Sequence, residues 1–169
     1  QINYKNNSSK KPSTNLILFV EENFNINGLK KLISNTEFSY INDLLKNNDL
    51  KKNLLFFEVN SKKTIFLVSI KKNLEASDIE NLGAEFHGYI NYDKKNEYSL
   101  NSDSLNNESK NILGHFLHGL KLKSYKFDIY KSKQDKKTIS VNIIGNKNKL
   151  TAQNELRFKA IEKGTFFAR

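Results

Sequence analysis

The chain has 169 residues, 37% hydrophobic and 27% charged, enough for one domain with a full core. It has no cysteine, which excludes disulfides and thiolate chemistry; its longest apolar run, residues 16–20, is far too short to cross a membrane, and residues 1–15 lack the apolar core of a secretory signal. The net charge of +10 is almost all lysine, with Arg157 and Arg169 the only arginines, so it reads first as solvated surface on a soluble cytoplasmic protein.

Residues 1–14 carry the only proline, Pro12, and read as a flexible N-terminal arm in which Ile2 and Tyr4 suit a short edge strand. Residues 16–20 are apolar at every position, the pattern of a strand buried on both faces. Asn27 and Gly28 then turn the chain into a short helix bearing Leu29, Leu32 and Ile33. Residues 34–53 are too weakly patterned to assign an element. Residues 54–59 and 64–70 are β-rich runs that form a hairpin.

Ser77 and Glu80 have the spacing of a capping box, and Ile79, Leu82, Phe86 and Ile90 follow at helical intervals, with His87 on the polar side. Tyr98 and Leu100 alternate in a strand, and a polar turn leads to the next helix. There Ile112, Leu113, Phe116, Leu117 and Leu120 form the core face. His115, His118 and Leu122 fall within about 60° of one another on a different side, which marks a second contact surface toward another domain or subunit. Ile139, Val141 and Ile143 make a half-buried strand. Thr151 caps a last helix whose stripe is Ala152, Leu156, Ala160, Gly164, Phe167 and Ala168; Phe158 and Phe166 lie off it and need other cover. No stop signal follows, so the helix is expected to continue past Arg169. Strands alternating with helices predict a single α/β domain with a mixed sheet flanked by helices.

The sequence holds little that resembles catalysis. His115 and His118 are spaced to share an ion but lack a third ligand within reach, and there is no HExxH, GxSxG, GxGxxG or GxxxxGK[ST] motif. Gly83, Gly88, Gly114 and Gly119 lie within helical patterns and suit close helix packing. Residues 121–137, bounded by Lys121 and Lys137, hold seven lysines interleaved with Tyr125, Phe127 and Tyr130. That face could serve a nucleic-acid-binding module, with aromatic rings stacking bases. The plainer reading is a strand with Tyr125, Phe127 and Ile129 turned inward and lysines turned to water.

The text from Gly119 through Lys133 resembles the segment that closes the N-terminal domain of cytosol (leucyl) aminopeptidases. Ser124, Tyr125, Phe127, Asp128, Tyr130 and Lys131 keep the frame of that motif, while Lys123, Lys126 and Ile129 depart from it. The end of the chain, from Ala160 to Arg169, resembles the helix leading into that family's catalytic domain, and Ile79–Ala84 sits where the family places a Leu-Gly-Gly segment. The resemblance implies a macro-domain-like fold over residues 15–150, with 151–169 starting a linker helix toward a catalytic domain. It implies that the full protein is a homohexameric peptidase acting on peptides with two divalent metals, zinc, manganese or magnesium. The family's metal ligands and catalytic residues lie in that other domain, so no catalytic, cofactor or metal residue is carried onto this chain. The domain's implied work is hexamer assembly and control of access to the active site. Two rivals are the nucleic-acid module above and a free-standing macro-type domain for ADP-ribose; the latter lacks a glycine-rich phosphate loop.

Overall fold

A computed structural model of the chain describes residues 2–6, 14–92, 95–106, 111–125 and 138–167. Among these residues six strands, β1 (Ile2–Asn6), β2 (Asn15–Glu21), β3 (Leu54–Asn60), β4 (Lys63–Ile70), β5 (Glu97–Asn101) and β6 (Ile139–Ile144), form one sheet in the order β1-β6-β5-β2-β4-β3. Every neighbouring pair is parallel except the β3–β4 hairpin. Among the described residues there are also four α-helices: α1 (Asn35–Leu45), α2 (Ala76–Tyr92), α3 (Ile112–Ser124) and α4 (Ala152–Phe167). The protein is thus a single α/β domain with a mixed sheet.

β2 shows why the sheet is buried on both sides. Ile17 and Phe19 belong to the core that includes α2 and α3, whereas Leu16, Leu18 and Val20 belong to the core that includes α1. Burying each such side chain is worth about 1.5–3 kcal/mol, so an unbroken apolar run specifies a central strand better than an alternating one would. The hairpin turn is fixed locally, because the Asn60 side-chain oxygen accepts from the backbone N–H groups of Lys62 and Lys63, both at 2.9 Å.

Several expectations are corrected. Ile2 and Tyr4 lie in the short edge strand expected of them, Ile2–Asn6, registered against β6 with Tyr4 opposite Val141; what changes is that residues 2–6 of the expected arm belong to the sheet. Residues 34–53 contain α1, whose Ser34 hydroxyl accepts from the Glu37 N–H while the Glu37 carboxylate accepts from the Ser34 N–H. The capping box at Ser77 and Glu80 does not form. α2 starts at Ala76, and the Asp78 carboxylate accepts instead from the Glu75 N–H at 2.9 Å. His87, expected on the polar side of α2, is buried, 8% exposed. Gly88, expected at a helix contact, faces open space.

The stripe on α4 is also reversed. Phe158 and Glu162 are buried, while Leu156 is 68% exposed and Ile161 43%. Phe158 carries more apolar surface than the alanines and glycine of the stripe, and it decides which side turns inward.

Candidate functional site

The second contact surface read on α3 meets two elements of its own chain. One is α2, which crosses α3 at van der Waals contact of backbone with backbone. A Cβ on Gly119 would run into the Glu80 carbonyl, and one on Gly83 into the Phe116 carbonyl. His115, on the adjoining side, reaches α2 with Nδ1 at 2.9 Å from the Glu80 carboxylate.

The other is α4. Phe158 packs against both histidine rings, its centroid 5.2 Å from each. Gly114 leaves the room, since a Cβ there would come within 2.5 Å of the Phe158 ring. One turn further along α4 is Glu162, 2% exposed. Lys121 Nζ lies 2.5 Å from its Oε2, and His118 Nδ1 lies 3.5 Å from its Oε1. The second contact is an ion-pair distance and not a hydrogen bond, so both atoms stay without a hydrogen-bond partner although buried. A carboxylate in this position is tolerated because Lys121 neutralises it. Lys121 also sits 5.4 Å over the Tyr4 ring of β1. Burial, together with the negative charges of Glu162 and Glu155, pushes the Tyr4 hydroxyl well above the ordinary tyrosine range. The cluster therefore ties β1, α3 and α4 together.

Of the motif residues, Ser124 and Tyr125 are described. The Ser124 hydroxyl donates to the Lys121 carbonyl at 2.7 Å, closing α3. The Tyr125 ring stacks on Phe166 of α4 at 4.2 Å between centroids, and its hydroxyl donates to the Phe166 carbonyl. This gives Phe166 the cover its off-stripe position required. Phe127, Asp128, Tyr130 and Lys131 lie outside the described residues, as does the basic face beyond Tyr125. Leu122 is half-buried at the end of α3. Glu162 had no sequence signal beyond its place one turn after Phe158, and nothing in the sequence pointed to Tyr4 as its neighbour.

His115 and His118 do not converge, since one pairs with α2 and the other with α4. Among the described residues, no group of three or more histidine, aspartate or glutamate side chains is placed to hold a metal ion, and no helix is long and apolar enough to cross a membrane.

A second region lies at the carboxyl edge of the sheet. β2 and β5 are neighbours there, but β2 leads to α1 on one face and β5 to α3 on the other. Open α/β sheets bind ligands where neighbouring strands part in this way. A cleft of about 880 Å³ opens at this edge, lined by residues that include Glu21, Asn23, Lys71, Lys72, Ser104 and Asn106. The Glu21 carboxylate accepts from Asn25 at 3.2 Å and from Asn106 at 2.5 Å, which binds the rim together. Glu21 and Glu22 stand in the cleft and no glycine lines it among the described residues, so it offers no glycine-rich cradle for phosphate.

No family model matches the chain, and no curated protein matches it by sequence. Solved structures do. A tomato leucine aminopeptidase aligns over 95% of this chain and 35% of its own, with 18% identity and a TM-score of 0.63. The cytosol aminopeptidase of Coxiella burnetii aligns over 92% of this chain and 30% of its own, at 14% identity and a TM-score of 0.54. The macrodomain of Thermus aquaticus DarG covers 85% of this chain and 97% of its own, at 10% identity and a TM-score of 0.51. At these identities the likeness shows the fold, which is macro-domain-like. The chain spans about a third of the length of the aminopeptidases it resembles.

Proposed function

We propose that this chain is the non-catalytic N-terminal domain of a leucyl aminopeptidase of the cytosolic type. The observation that carries the reading is the alignment of 95% of the chain with a third of a leucine aminopeptidase. It is joined by the motif frame at Ser124 and Tyr125, which the fold uses to seat the end of α4. In this reading the full-length enzyme removes N-terminal residues from peptides in the cytoplasm as a hexamer, using two divalent metals held by its catalytic domain. The domain described here contributes to assembly and to the walls that limit access to the active site. α4 leads from this domain toward the catalytic one, with Phe158 and Glu162 anchoring its course.

The reading predicts that the purified 169-residue chain, supplied with manganese or zinc, does not hydrolyse leucine p-nitroanilide. Hydrolysis is expected only from a longer polypeptide that contains this segment and the sequence downstream of it. Metal-dependent turnover by the 169-residue chain itself would contradict the proposal.

A further inference from the structure

β3 ends the sheet on one side, and among the described residues no strand pairs with its outer edge. The Ser69 N–H donates to the Asn53 carbonyl at 2.9 Å, so Asn53, Leu55 and Phe57 turn their backbone polar groups toward β4. By the alternation of an antiparallel pair, Leu54, Phe56 and Glu58 turn theirs outward. Of these outward groups only the Glu58 carbonyl has a partner among the described residues, the Tyr40 hydroxyl at 3.4 Å, and its second lone pair stays open.

The edge is also unguarded. Sheets commonly blunt such an edge with lysine, proline or a bulge, and at the opposite end of this sheet β1 exposes Lys5. The segment from Leu54 to Glu58 holds neither lysine nor proline, and the irregularity in its pairing falls only after Glu58. At its centre Phe56 is 48% exposed, although its ring is steadied by Tyr89 and Phe66 at 5.7 and 5.9 Å between centroids. An exposed aromatic ring in the middle of an open edge is a template for strand pairing.

The charges on either side of Phe56 select the occupant. Lys52 and Glu58 are exposed, and neither has an ion-pair partner among the described residues. Two copies of β3 running antiparallel about Phe56 bring outward-turned residues face to face, Phe56 against Phe56 and Leu54 against Glu58. Glu58 of each copy then lies diagonal to Lys52 of the other, close enough for opposite charges to attract. An in-register parallel copy would set Glu58 beside Glu58, like charge against like. An unrelated extended peptide would need the same order, a base before an aromatic residue and an acid after it. This chain already has that order.

We propose that β3 is a self-association edge, on which a second copy of this chain adds its own β3 antiparallel across Phe56, so that one sheet runs through both molecules. The proposal goes beyond the aminopeptidase reading and does not rest on it, since the edge is complete within the described residues and peptide hydrolysis plays no part in its test.

The test is sedimentation velocity on the 169-residue chain over a concentration series, which is expected to show a monomer–dimer equilibrium. Phe56→Lys should weaken the dimer at least about tenfold, by removing the central ring and setting like charges across the axis. Glu58→Lys, a change at an exposed side chain, should weaken it in the same direction and keeps the test open if Phe56→Lys fails to fold. Combining Glu58→Lys with Lys52→Glu exchanges the two charges and should restore association to within about threefold of the parent, a rescue that a loss of folding would not show. A monomer at every concentration would overturn the proposal in favour of another occupant of the edge. A dimer indifferent to both single substitutions, or one that the charge exchange does not restore, would overturn it in favour of another surface. Failure of the peptidase test with retention of this dimer would discard the aminopeptidase reading alone.

Discussion

Glu162 is the residue on which the account of α4 rests. Its carboxylate is buried beside Lys121 and His118, and removing it leaves Lys121 without its partner and a void beside Phe158. Breaking a buried pair costs about 3–5 kcal/mol, and Lys121 retains some contact with water, so Glu162→Ala should cost about 2–4 kcal/mol in urea unfolding. An unchanged midpoint would show that the pair holds nothing. Tyr4 gives a pH signature of the same cluster. Its folded pKa is raised above the unfolded value near 10, so the native state holds the proton longer than the unfolded chain does. The contribution is therefore complete below about pH 10 and is lost as pH rises beyond it. Tyr4→Phe should flatten the alkaline fall in melting temperature relative to the parent chain; identical alkaline limbs would contradict this.

At the scale of elements, the α2–α3 crossing depends on the absence of side chains at two positions. Gly119→Ala would drive a methyl group into the Glu80 carbonyl, which is backbone and cannot rotate away. The expected loss is about 1–3 kcal/mol or more, against a slight gain from helix propensity at a neutral site. Gly88→Ala, with nothing nearby, should instead hold or raise stability, and the pair of melts separates packing from propensity. A Gly119→Ala protein as stable as the parent would mean that the helices do not approach as described.

The same contrasts explain what the sequence made legible. β2 and the hairpin were readable because an unbroken apolar run and two β-rich runs around a polar turn leave few alternatives. The core face of α3 was readable because Leu113, Phe116, Leu117 and Leu120 repeat at the helical period. α1 escaped because Asn and Lys dilute its pattern, although Ser34 and Glu37 stand at capping-box spacing. The facing of α4 was misread because its apolar residues point in two directions, and periodicity cannot rank a large ring against a stripe of small side chains. His87 and Glu162 were unreadable for a shared reason. A polar side chain is assigned to water unless its neighbours are known, and for Glu162 the neighbour, Lys121, comes from a distant part of the chain.

For the whole molecule, the sheet order and the long alignment with aminopeptidase structures place the fold, and the proposed reading adds that the motif at the end of α3 belongs to a larger enzyme. In the proposed reading the domain's task is structural, with β1, α3 and α4 joined by one buried cluster. An antibody raised against the 169-residue chain gives the most direct test of this account. Immunoprecipitated from its native source, the polypeptide should be well over twice as long as this chain and should carry manganese- or zinc-dependent hydrolysis of leucine p-nitroanilide that a chelator abolishes. A native polypeptide of this length alone, precipitated without peptidase activity, would contradict the central claim.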